Sequence, residues 1–176
     1  AVEAAEAIAM ESDGNMVADP TRVKVITRTG PALEESKLIT GLALSKKRAH
    51  VEMLSSLGAG SILLVDGGLE LRSLSTDVQL NVTSTSVLQS FRDAEQQRLL
   101  DQVKMLVDLD VTLLACREGI DDSMHAHLAE AGIKAFRRVA KSDLELLARG
   151  CGARLVPSIH QAKKKDVGVF ISSKCE

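Results

Sequence analysis

The stretch GIDDSMHAHLAEAGIKAFRRVAKSDLELLARGCGARL, residues 119–155, leaves a chain little freedom in how it folds. Asp121 and Asp122 supply side-chain acceptors and negative charge where a helix begins, and Gly132 supplies a left-handed residue where it stops, which predicts a helix over 122–131. Residues 133–139 are short, partly β-branched and apolar ahead of Arg137 and Arg138, as suits a strand. Ser142 and Glu145 read as a capping box that opens a second helix, with Leu144, Leu147 and Ala148 on one face and Gly150 and Gly152 ending it before residues 153–156. With residues 111–116 in front, the order is β-α-β-α-β. Strands separated by single helices run parallel and need those helices as cover, so this half of the chain is an α/β layer structure.

The rest of the chain is read in the same way. Residues 1–10 carry a helical apolar stripe (Val2, Ala5, Ile8, Ala9), and residues 22–30 and 37–44 read as two strands, the second holding Gly41. Lys46, Lys47, Arg48 and His50 make a basic, solvated loop. Residues 61–65 (SILLV) read as a buried strand ended by the Asp66-Gly67-Gly68 turn, with a further extended piece at 69–71. In residues 76–82, Val78, Leu80 and Val82 alternate with polar neighbours. Ser86 then caps the longest helix, in which Val87, Phe91, Ala94, Leu99, Val103, Leu106 and Val107 recur near the helical period up to Leu109. A helix of about 22 residues is roughly 33 Å long, more than one small sheet needs, so one end is expected to project. Residues 167–171 (VGVFI) are a last short strand.

At 176 residues, with 45% hydrophobic residues, the chain holds enough apolar material for one ordinary core plus extensions. That core is aliphatic, because three Phe and no Trp or Tyr leave few base-stacking surfaces. Together with a net charge of −2, this weighs against nucleic-acid binding. No apolar run is long enough to span a bilayer, and the Glu-rich start lacks a basic secretory signal. Cys116, Cys151 and Cys175 are scattered without metal-ligand spacing, which suits free thiols in a reducing, cytoplasmic setting. His125 and His127 lie two apart on the predicted helix and point about 200° apart, so they do not share one metal ion. The abrupt helix-like start and the stop at Glu176 suggest a piece of something longer.

Gly119-Ile120-Asp121-Asp122, Arg137-Arg138-Val139, Lys141-Ser142-Asp143, Leu147-Ala148-Arg149 and Gly152-Ala153-Arg154 together resemble the apical domain of a group II chaperonin, the family of the archaeal thermosome and the eukaryotic cytosolic chaperonin. Three earlier stretches resemble the same family: Leu33-Glu34-Glu35 through Gly41, Leu63-Leu64-Val65-Asp66, and Asn81-Val82-Thr83 ahead of the long helix. The resemblance implies a layered β/β/α sandwich with a long helical protrusion. It divides the chain into a hinge-domain remnant at 1–20, a substrate-binding domain at 21–168 with its protrusion at about 73–100, and a return strand at 169–176. It also implies that unfolded polypeptide and sister subunits of a double ring are the partners. ATP and Mg2+ would be used elsewhere in the parent subunit, with no cofactor or catalytic residue in this stretch. Departures are Glu118, where the family commonly has a basic residue, His50-Val51-Glu52-Met53 in place of His-Pro-Gly-Met, and His127 in a Tyr position.

In the predicted helix, Met124, Leu128 and Ala131 face inward with His127 half-buried beside them. Asp122, His125, Ala126, Ala129 and Glu130 face outward. Taken alone that is an ordinary solvent face. Under the resemblance these outward residues become contacts to non-native polypeptide, because a promiscuous binder works through modest apolar area mixed with charge. Val82, Val87, Leu88 and Phe91 join them if the start of the long helix projects, and pack on the domain if it does not. Two other readings are a nucleotide- or small-molecule-binding α/β domain with its ligand near Arg117, Arg137 and Arg138, and a scaffold that has kept the fold.

Overall fold

A computed structural model describes residues 2–12, 14–27, 29, 30, 32–69 and 85–175, without the side chains of Leu33, residues 85–88 and Phe91. The chain forms two compact units, Ala1–Ser45 and Lys46–Glu176.

In the first unit, helix α1 (Val2–Ile8) runs into strand β1 (Ala9–Ser12), which pairs antiparallel with β2 (Asn15–Ala18) around Gly14. A helix was expected through Met10; Ala9 and Met10 instead open the hairpin. Asp19 accepts from Thr21 N at 2.9 Å and caps a 3-10 turn, Pro20–Arg22. The strands expected at 22–30 and 37–44 are not formed by their described residues, which hold irregular backbone, and Gly41 sits at φ 136°. The physical reason is exposure: Val25 is 81% and Ile39 64% exposed, and apolar alternation makes a strand only where a partner ladder and a buried face exist.

In the second unit the expected α/β layer is present. The short strand β3 (Ser56–Leu57) is followed by β4 (Gly60–Val65), helix α2 (Thr85–Asp108), β5 (Leu113–Cys116), α3 (Asp122–Glu130), β6 (Lys134–Phe136), α4 (Lys141–Cys151), β7 (Leu155–Val156), β8 (Gly168–Phe170) and β9 (Ser173–Lys174). The main sheet has the order β6-β5-β4-β7, all parallel, with β8 added antiparallel to β4. β5 occupies one edge of β4. The other edge is shared, β8 pairing with its first three residues and β7 with its last two.

β4 is buried on both faces, as its unbroken Ile62-Leu63-Leu64-Val65 run requires of a central parallel strand. Alternate residues feed two cores. Leu63, Val65, Leu114 and Cys116 pack with Leu99, Val103 and Leu106 of α2 and Met124 and Leu128 of α3. Ile62, Leu64, Leu113 and Ala115 pack with Phe136, Val139 and Leu144 of α4. Helices therefore cover both sides of the sheet. Burial holds the Cys116 thiol well above its ordinary range.

The start of α4 differs from the expected capping box. Ala140 is the N-cap residue, with no side-chain bond, and Ser142 and Glu145 are exposed. The backbone decides this: Val139 N donates to Cys116 O at 2.9 Å, so the helix must start directly after it for Leu144 to reach the core. The extended piece at 69–71 is described only at Leu69, which forms an isolated parallel bridge with Ile120. The strand expected at 76–82 lies outside the described residues.

Candidate groove between two helices

α3 begins where expected. Asp121 Oδ1 accepts from Ser123 N at 3.0 Å and from Ser123 Oγ at 2.6 Å, and the helix is closed by Gly132 at φ 72°. Met124 and Leu128 face the core as expected, whereas Ala131 at the C-cap is exposed. α2 is fixed by Leu99, Val103 and Leu106, spaced i, i+4, i+7 and buried. Between these two helices lies an open groove of about 300 Å³, lined by Arg92, Glu95, Gln96 and Leu99 of α2 and by Ser123 and His127 of α3. Among the described residues Leu99, 4% exposed, is its one apolar lining residue; the others are polar or charged.

Of the outward set read from the sequence, Asp122, Ala126 and Glu130 are exposed, and Ala129 is half-buried against the core. His125 is a correction. It was expected in solvent and is 3% exposed. Its Nδ1 lies 3.5 Å from Asp122 Oδ1, its ring is 6.0 Å from that of His50, and its Nε2 is buried with no hydrogen-bond partner among the described residues. The cause is the loop at 48–53, which closes over this flank of α3: Ala49 N donates to Ala135 O at 2.8 Å, and Met53 is buried. A helical wheel drawn for α3 alone cannot register a loop that arrives from elsewhere. Burial holds the His125 pKa below its ordinary value; Arg137 lowers it further and Asp122 opposes.

His127 is half-buried, as expected, and lies 3.6 Å from Glu130 Oε2. The Ser123 hydroxyl donates to Asp121 and serves the helix cap. Val82 and the side chains of Val87, Leu88 and Phe91 lie outside the described residues. The groove residues Arg92, Glu95 and Gln96 were missed; their i, i+3, i+4 spacing, leading to Leu99 at i+7, was the available signal.

Two of the three arginines of the alternative ligand site take separate partners. Arg137 Nη1 lies 3.2 Å from Asp122 Oδ1. Arg117 Nε donates to Asp66 O at 3.0 Å and lies 2.8 Å from Asp66 Oδ1, without hydrogen-bond alignment to that carboxylate. At the strand ends, where α/β sheets commonly bind ligands, the loops themselves fill the space. A Cβ at Gly67 would sit 2.7 Å from Pro157 O and one at Gly68 2.6 Å from Gly119 O, so these glycines serve loop-on-loop packing.

The second unit is thus a two-sided α/β layer with an open groove between α2 and α3. The TCP-1/cpn60 chaperonin family model matches residues 1–174, and the chain belongs to that family. It is 34% identical over 167 residues to a thermosome subunit of Methanopyrus kandleri, covering 95% of this chain and 31% of that protein. It is 34% identical over 168 residues to the thermosome subunit beta of Archaeoglobus fulgidus, covering 96% of this chain and 31% of that protein. The solved open-state monomer of a group II chaperonin from Methanococcoides burtonii superposes with a TM-score of 0.75 at 25% identity, over 97% of this chain and 37% of that one. The chain thus spans about a third of the length of the curated relatives it matches, and its α/β fold is that of a group II chaperonin domain.

Proposed function

We propose that this chain carries the apical, substrate-binding part of an ATP-dependent group II chaperonin subunit and holds unfolded polypeptide along the groove between α2 and α3. The observation that supports this reading is the groove itself: among the described residues one apolar lining side chain, Leu99, stands with Arg92, Glu95, Gln96, Ser123 and His127, on a helix α3 that also exposes Asp122, Ala126 and Glu130. Such a surface grips many sequences weakly and none tightly. In this reading residues 1–20 belong to a hinge domain, 21–168 to the apical domain and 169–176 to a return strand. The protrusion at about 73–100, bearing Val82, Val87, Leu88 and Phe91, adds contacts and part of a built-in lid. The parent subunit hydrolyses ATP with Mg2+ outside this stretch and works in the cytoplasm within a double ring of sister subunits.

The test is light scattering of an aggregating, chemically unfolded client in the presence of the 176-residue chain without ATP. Suppression at near-stoichiometric amounts is expected, and no suppression at several-fold excess overturns the proposal.

A further inference from the structure

Lys134 is fully buried, with 0% exposure, on β6 at the edge of the sheet. It shares a face with Phe136, two residues on, and its ammonium lies 5.7 Å from that ring. Its three hydrogen bonds go to uncharged oxygens: Ser55 O at 3.0 Å, Ser173 Oγ at 3.2 Å and Ser173 O at 3.4 Å. Among the described residues no carboxylate lies within ion-pair distance of it. The acceptors lie on one feature: Ser55 directly precedes β3 and Ser173 opens β9, the two strands of a ribbon in which Ser56 pairs with Lys174 and Leu57 with Ser173. Ser55 O accepts from Cys175 N as well, at 2.8 Å, so the ammonium sits on the ribbon's outermost bond.

Two paired residues per strand make a marginal ribbon, and a cation dried beneath it without a counter-charge carries a desolvation cost that neutral acceptors only partly offset. Water restores that hydration as soon as the ribbon lifts. When the lysine goes, Ser55 O keeps the Cys175 amide, and an apolar side chain of like size fills the space beside Phe136 without dehydrating a charge.

We propose that the β3–β9 ribbon is a strap that opens as a unit over an intact sheet, and that the dry ammonium of Lys134 sets its low opening threshold. Native-state hydrogen exchange on the full 176-residue chain tests this. In the unsubstituted chain the Cys175 amide is expected to exchange by an opening that leaves the β4 and β5 amides protected. In Lys134→Met that opening is expected to become at least about tenfold rarer, with labelling of the Cys175 thiol slowed in parallel. Faster exchange in Lys134→Met overturns the proposal, because the ammonium is then a latch, and so does an unchanged rate. Should Lys134→Met fail to fold, the unsubstituted chain decides: a Cys175 amide that exchanges only together with β4, by global unfolding, also overturns it.

Discussion

The two halves of α2 are one continuous helix in two different settings. From Leu99 on, every third or fourth residue is buried, through Val103 and Leu106. Before Leu99, every described side chain from Gln89 to Arg98 is exposed. At 24 residues the helix is about 36 Å long, and the second half alone is enough to cover the sheet. The described side chains of the first half stay out of the core and include the Arg92, Glu95 and Gln96 wall of the groove. Anchoring and presentation are thus divided along a single rod, with Leu99 belonging to both.

This division makes predictions of graded size. Leu106→Ala should destabilise the second unit by about 2–5 kcal/mol, since it empties a fully buried site between helix and sheet; chemical denaturation would show it, and a change well under 1 kcal/mol would mean that the anchoring half is not an anchor. A smaller effect is expected from acid. The folded state holds His125 below its ordinary value of 6.5, so below pH 6.5 the unfolded chain binds more protons and stability falls. The loss should grow as pH drops toward the folded-state value and should be weaker in His125→Gln, measured as melting temperature against pH. Smallest in stability, within about 0.5 kcal/mol, should be Arg92→Ala combined with Glu95→Ala on the exposed half. The same pair should weaken client holding in the light-scattering assay, and a large loss of stability instead would erase the distinction between the halves.

What the sequence showed follows from how local each signal is. The limits of α3 were readable because Asp121, Asp122 and Gly132 act on their own backbone, and the C-terminal half of α2 was readable because three leucines and valines at helical spacing need only one surface. The strands expected at 22–30 and 37–44 failed on a non-local requirement, a partner ladder. His125 failed for the same kind of reason, since a loop more than seventy residues earlier in the chain buries it. Neither wall of the groove was picked out: Ser123 was not in the outward set read on α3 and His127 was read beside the inward face, while the spacing of Arg92, Glu95 and Gln96 marks a face of α2 without saying what that face meets across the sheet.

The pairing of β3 and β4 with β8 and β9 follows one register throughout, from Gly60 opposite Phe170 to Ser56 opposite Lys174. Everything from Ser55 to Cys175 is therefore a cassette whose entrance and exit run side by side, joined by the bond from Cys175 N to Ser55 O. A body with adjoining ends can be spliced into a host through a pair of short joints, leaving the host's own chain path almost undisturbed.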